Sequence, residues 1–196
     1  MPQRTFVALP LPPEVRASIA ELVGSSRQGS PALRWIRPEQ AHLTLAFLGD
    51  LDDGAVAELR SSVRRVAREV APFESDVRGV GAFPTAARGR TLWLGWGQGA
   101  RQVRELHALL TAALAAAGWA LERRPFRPHV TLARCRTPAD LRGTVAALER
   151  WRSASWTVTA IDVMASCLTA DGAVHTRIER CPLAAGGRAD TAAPVR

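Results

Sequence analysis

The chain has 196 residues, 47% of them hydrophobic, and a mean hydropathy near zero, enough for one good core or two small lobes sharing one. No apolar run approaches the roughly 20 residues a bilayer span needs, and three cysteines without a CxxC pair exclude a disulfide framework and a zinc site and point to a reducing, cytoplasmic setting. The net charge of +8 rests on arginine alone, there being no lysine, which favours anionic partners such as RNA or nucleotides through a side chain that grips phosphate bidentately.

The start, MPQRTFVALPLPPEV, meets prolines and a glutamate after a short apolar run, so no secretory signal is expected. RTFVALPL reads as a first strand. Residues 13–26, PEVRASIAELVGSS, read as a helix with Pro13 in its first turn and Gly24 near its end. LRWI is a short extended piece, and RPEQ leads into a strand over 41–48. Asp52 or Asp53 then caps a helix to about residue 70, with Val56, Leu59, Val63, Val66 and Val70 as its apolar stripe. Residues 73–82 read as extended. The pattern then restarts with a strand over 91–97 and a long helix from residue 100 ended by Gly118. A strand over 128–134 follows, then a helix opened by Pro138 and reaching about Arg150, and strands over about 156–168 and 174–181. Each half thus runs strand, helix, strand, helix, strand, as an internal duplication does. The tail over 184–196 is small and polar and is expected to be disordered, leaving 1–183 as a single domain.

The central strand of each half carries the same local motif. AHLTLAFLGD (41–50) and PHVTLARC (128–135) each place a threonine two residues after a histidine, and the chain has only four histidines. In a strand, residues i and i+2 share a face. His42 and Thr44 then point one way and Leu43 and Leu45 the other. His129 and Thr131 are matched in the same way by Val130 and Leu132. Two halves related by a pseudo-twofold would bring these strands face to face across a cleft. Arg134 follows His129 by five, so strict alternation puts it on the opposite face unless the strand bulges or ends.

With these residues the chain resembles the two-histidine (2H) phosphoesterases, whose signature is one HxT motif per half. Among them it is similar to the bacterial and archaeal RNA 2',3'-cyclic phosphodiesterases, also called 2'-5' RNA ligases. The matching stretches are RTFVALPLP, RWIRPEQAHLTLAFLGD, WLG at 93–95, RPFRPHVTLAR and SCLTADGAVHTRIERCPL, together spanning about residues 4–183. The chain departs from the pattern at His175, where relatives usually carry tyrosine. The resemblance implies an α+β fold of two pseudo-symmetric α/β lobes, each with a mainly antiparallel sheet and helices outside, mixing residues from both halves, with a cleft between. It implies His42 and His129 as catalytic acid and base, with His129 favoured as base and His42 as acid in an assignment the sequence leaves open. Thr44, Thr131 and Arg134 are implied as phosphate contacts. No metal and no cofactor is implied. The expected substrates are RNA with 2',3'-cyclic phosphate ends (tRNA fragments among them) or cyclic nucleotides, and the expected protein is a cytoplasmic monomer that binds no membrane.

The chemistry suits the residues. Imidazole titrates near neutrality and serves as acid or base, and hydroxyls and guanidiniums meet the charge that grows on phosphate oxygens. The same site run backwards with a 5'-hydroxyl makes a 2'-5' linkage. A different class of function, an arginine-rich RNA-binding module without turnover, fits the composition too. Phe47, Phe126 and Trp35 flank the motifs and either stack on a base or pack. Arg123, Arg124 and Arg127 either line the cleft mouth or are solvated. Arg60, Arg64 and Arg68 read as a solvated helix face, His107 as structural, and His175 either replaces the tyrosine at the cleft or does not. HExxH, a glycine-rich phosphate loop and paired carboxylates are absent from the sequence, so zincin, P-loop and glycosidase readings fall away.

Overall fold

The computed structural model describes residues 2–27, 33–122, 124–169 and 172–184. Strand β1 (Gln3–Pro10) has an apolar centre buried on both faces, and α1 (Pro13–Ser26) starts at a proline and buries Val15, Ile19, Leu22 and Val23. After β2 (Leu33–Trp35) and a 3-10 turn at Pro38–Gln40, the first histidine opens β3 (His42–Leu51). Helix α2 (Asp53–Ala67) is capped by Asp52, which accepts from the Ala55 amide at 2.8 Å, and buries Val56, Leu59, Val63 and Val66. It ends at Ala67, short of residue 70.

Next come β4 (Phe73–Ser75), β5 (Val77–Phe83), β6 (Gly89–Trp96) and α3 (Ala100–Ala116). The second histidine opens β7 (His129–Ala139), followed by α4 (Arg142–Leu148), β8 (Trp156–Val158), β9 (Ala160–Thr169) and β10 (Gly172–Pro182). Two stretches expected as single strands are each divided: β4 and β8 pair with each other in a small second sheet, while β5 and β9 join the large one.

Pro138 does not open a helix. Strand β7 runs through it to Ala139, which pairs with Gly89, and the proline lies beyond β7's last partner on β2, Leu33 at Cys135, so its missing amide costs no bond to that strand. The helix starts later, where the Asp140 carboxylate accepts from the Arg142 amide at 3.0 Å. The tail beyond residue 184 lies outside the described residues.

The large sheet is antiparallel in the order β10-β9-β1-β3-β7-β6-β5, with β2 also on β7. It is two half-sheets joined at one residue pair. Strands β3 and β7 meet only at Leu43 and Val130, each the residue after a histidine. This pairing puts the HxT motifs in equivalent positions about a local twofold. Paired residues point to the same side of a sheet, so Leu43 and Val130 go together into the core and all four motif side chains go to the opposite face. Helix α2 lies against β9 and β10 and packs on α3, and α4 lies against β5. The C-terminal strands β9 and β10 thus complete the half-sheet built from β1 and β3, mixing the two sequence halves.

Candidate active site

Strands β3 and β7 share more than their first four residues. Over nine positions each shows the same order of burial, with the two motif side chains half-buried, the residues between and after them buried, and then an exposed residue. Both strands bulge at the same place. Val7 and Ala8 on β1 face Ala46 and Thr44, leaving Leu45 as the extra residue. Leu92 and Trp93 on β6 face Ala133 and Thr131, leaving Leu132. A bulge of one residue turns the next side chain back to the face that alternation would deny it. Phe47 and Arg134 are therefore twofold mates, and both join the histidines and threonines on the cleft face.

The histidines are held alike by backbone two residues upstream. His42 Nδ1–H donates to the Gln40 carbonyl at 2.7 Å, and His129 Nδ1–H donates to the Arg127 carbonyl at 2.6 Å. A carbonyl can only accept, so the proton of each neutral ring is assigned to Nδ1 and the lone pair to Nε2. His42 Nε2 accepts from the Thr44 hydroxyl at 3.1 Å. Burial of its ring pulls His42 down to about 4, against the raising effect of the Gln40 carbonyl and with added repulsion from His175, His129 and Arg134. Burial also lowers His129, again opposed by its carbonyl partner and reinforced by Arg134. Burial thus favours the neutral form of both rings, with His129 Nε2 turned to the cleft and His42 Nε2 carrying the Thr44 hydroxyl.

Aromatic walls enclose the rings. Phe6 lies 4.9 Å from His42 and His175 stands perpendicular to it at 5.2 Å. Across the twofold, Phe83 stands perpendicular to His129 at 5.0 Å, with Trp93 at 6.4 Å. Sequence reasoning missed Phe6, Phe83 and Trp93, which read as ordinary strand residues. One signal was available: Gly81, inside β5, lies under the Trp93 ring, where a Cβ would sit 2.2 Å from it, and a glycine within a strand marks such close approach.

The cleft has a volume of about 650 Å³. Arg4, Arg34, Arg37 and Arg134 line it with both HxT pairs, Trp35, Phe47 and His175, and no carboxylate is among the described residues on its walls. Arg34 and Arg134 are direct neighbours across β2 and β7. Phe47 is 55% exposed there. Such a surface attracts an anion and offers it two imidazoles, two hydroxyls, a fork of guanidiniums and an aromatic face.

Other candidates lie elsewhere. Phe126 is no base-stacking residue of the cleft: it stacks on His107 on α3, with centroids 3.8 Å apart and planes within 3°, and so fastens the loop before β7 to that helix. Arg124 is exposed and paired with Glu122, Arg127 contributes its carbonyl, and Arg123 lies outside the described residues. Arg60 and Arg64 are ion-paired with Glu179 on β10, so this helix face is tied to the sheet rather than merely solvated. His175 does face the cleft. Its Nδ1 is buried without a hydrogen-bond partner.

The chain is similar to known proteins over most of its length. The model of the 2'-5' RNA ligase superfamily matches residues 11–166. An RNA 2',3'-cyclic phosphodiesterase of Geobacillus stearothermophilus is 36% identical over 129 residues, 66% of this chain and 41% of that one, so the match spans well under half of that relative. An RNA 2',3'-cyclic phosphodiesterase of Aeropyrum pernix is 30% identical over 173 residues, 87% of this chain and 97% of that one. The crystal structure of Escherichia coli LigT complexed with 3'-AMP superposes with a TM-score of 0.73 at 29% identity, covering 93% of this chain and 99% of that one.

Proposed function

The chain belongs to the 2'-5' RNA ligase superfamily, and on that premise we propose that it is a metal-independent phosphodiesterase that opens 2',3'-cyclic phosphates at RNA 3' ends to 2'-phosphomonoesters. The observation that carries this reading is the pair of Nε2 atoms, each turned to the cleft by an Nδ1–H bond to a carbonyl, on twofold-related strands of an arginine-lined cleft with no carboxylate among the described residues of its walls. The relatives named RNA 2',3'-cyclic phosphodiesterase point the same way.

The cyclic phosphate sits between the two rings. His129, the less enclosed ring, meets water and takes its proton through Nε2. The water oxygen bonds to phosphorus as the bond to O3' breaks in line, and protonated His42 gives its Nε2 proton to O3'. The products are a 3'-hydroxyl and a 2'-phosphomonoester, with the proton now on His129. His42 is hard to protonate in the empty cleft, and the bound anion supplies the opposite charge that favours its cationic form. An imidazolium of low pKa is a correspondingly strong acid. The Thr44 and Thr131 hydroxyls and the Arg134 fork donate to non-bridging oxygens as their charge grows. Phe47, opposite Arg134, offers its ring to the base, as aromatic side chains do for unpaired nucleotides.

The test is to compare turnover and binding of an oligonucleotide ending in 2',3'-cyclic phosphate in wild type, His42→Ala and His129→Ala. Each variant is expected to lose a factor of about 10² or more in kcat while still binding the oligonucleotide. Wild-type turnover in either variant refutes the assignment, and equal binding by all three without turnover in any favours an RNA-binding module.

A further inference from the structure

The cleft continues past His42. A second cavity of about 220 Å³ adjoins it, with Gln40, His42 and His175 as the shared wall. Arg16 on α1 and Arg177 and Arg180 on β10 line this cavity. Asp162 on β9, only 4% exposed, also lines it. Arg180 Nε donates to it at 3.0 Å, and Arg177 comes within 3.9 Å. A buried carboxylate left unpaired is costly, so Asp162 holds both guanidiniums in place. Arg16 Nη1 donates to the Glu39 carbonyl at 3.3 Å, and Glu39 is the only other acid among the described lining residues. Three guanidiniums against two carboxylates leave one positive charge. A single phosphodiester anion balances it.

We infer that this cavity binds the phosphodiester joining the terminal nucleotide to its 5' neighbour, a second phosphate subsite separate from the one that holds the reacting phosphorus. This rests on the reaction proposed above. In-line displacement with His42 as acid puts O3', and with it the terminal ribose, on the His42 side of the phosphorus. The strand leaves that ribose through its 5' carbon, away from the phosphorus, and the space beyond His42 and His175 is this cavity. A cyclic mononucleotide occupies the main cleft alone and leaves the three arginines unused.

The experiment measures kcat/KM of the full chain for a dinucleotide and a mononucleotide, each ending in 2',3'-cyclic phosphate, in wild type, Arg16→Gln and Arg177→Gln. Wild type is expected to favour the dinucleotide by about tenfold or more, as one charge-assisted phosphate contact supplies. Each variant is expected to lose most of that preference, while turnover of the mononucleotide stays within about twofold of wild type. That second rate also shows that the variants are folded. Added salt is expected to erode the preference in wild type. Equal kcat/KM for both substrates in wild type, or a preference that survives both substitutions, overturns the subsite and leaves the phosphodiesterase reading standing. Failure of wild type to turn over either substrate overturns that reading and the subsite with it.

Discussion

Gln40 and Arg127 act on the chemistry through their carbonyls, since each fixes the proton of a neutral imidazole on Nδ1. The neighbouring hydroxyls then have a definite task. Thr44→Val and Thr131→Val keep the β-branched shape and remove one hydroxyl that the proposed mechanism uses as a phosphate donor. Each is expected to lower kcat by about tenfold to a hundredfold with a smaller change in KM, and Thr→Ser to restore much of the rate. Normal kcat in both valine variants would assign the threonines to strand formation and leave phosphate stabilisation to the arginines. Arg134→Lys conserves charge and loses the planar fork, so kcat/KM is expected to fall; an unchanged value removes Arg134 from the phosphate site. His42 also ties folding to pH. Its pKa of about 4 lies below the unfolded value of about 6.5, so the unfolded chain takes up the proton first. The stability this represents is complete above about pH 6.5 and is lost as pH falls towards 4. Thermal midpoints measured across that window should drop more steeply in wild type than in His42→Gln, and parallel curves would contradict the shift.

At the scale of elements, the cleft depends on how neighbouring strands approach one another. Gly81→Ala would place a methyl group against the Trp93 ring. The ring must move, and overpacking of this kind costs about 1–3 kcal/mol, which urea unfolding would register. Because Trp93 also walls His129, kcat is expected to fall with stability. A variant as stable and active as wild type would show that the ring yields freely.

The same strands show what was legible in the sequence. The HxT motifs were, because a period of two is local and a histidine and threonine on one strand face need no partner to be placed. Helices α1 and α2 were legible through Pro13, Asp52 and the valine stripe. The face of Arg134 was not, because a bulge is a property of two strands: Leu132 becomes extra only against Leu92 and Trp93. The repeated Leu-Ala doublet after each threonine, Leu45-Ala46 and Leu132-Ala133, was its only trace. Phe126 misled because closeness to His129 in sequence says nothing about His107, which lies earlier in the chain on helix α3. Pro138 misled because the end of a strand that has run past its partner on one side tolerates proline as well as a helix start does.

For the molecule as a whole, the consequence of joining two half-sheets at Leu43 and Val130 is a pair of imidazoles presented to one face. The twofold is broken where it matters for orientation, with Phe47 on one side and Arg134 on the other, and with the arginine-lined cavity beyond His42. Proton transfer between two histidines needs no metal, so EDTA is expected to leave kcat unchanged; loss of turnover restored by a divalent ion would replace this mechanism with a metal-assisted one. Which bond breaks is decided by phosphorus NMR of an oligonucleotide ending in 2',3'-cyclic phosphate, incubated with the protein in water enriched in oxygen-18. With His42 protonating O3', the cyclic resonance is replaced by that of a 2'-phosphomonoester carrying one labelled oxygen. A 3'-phosphomonoester, or a cyclic resonance that persists unchanged, would contradict that assignment.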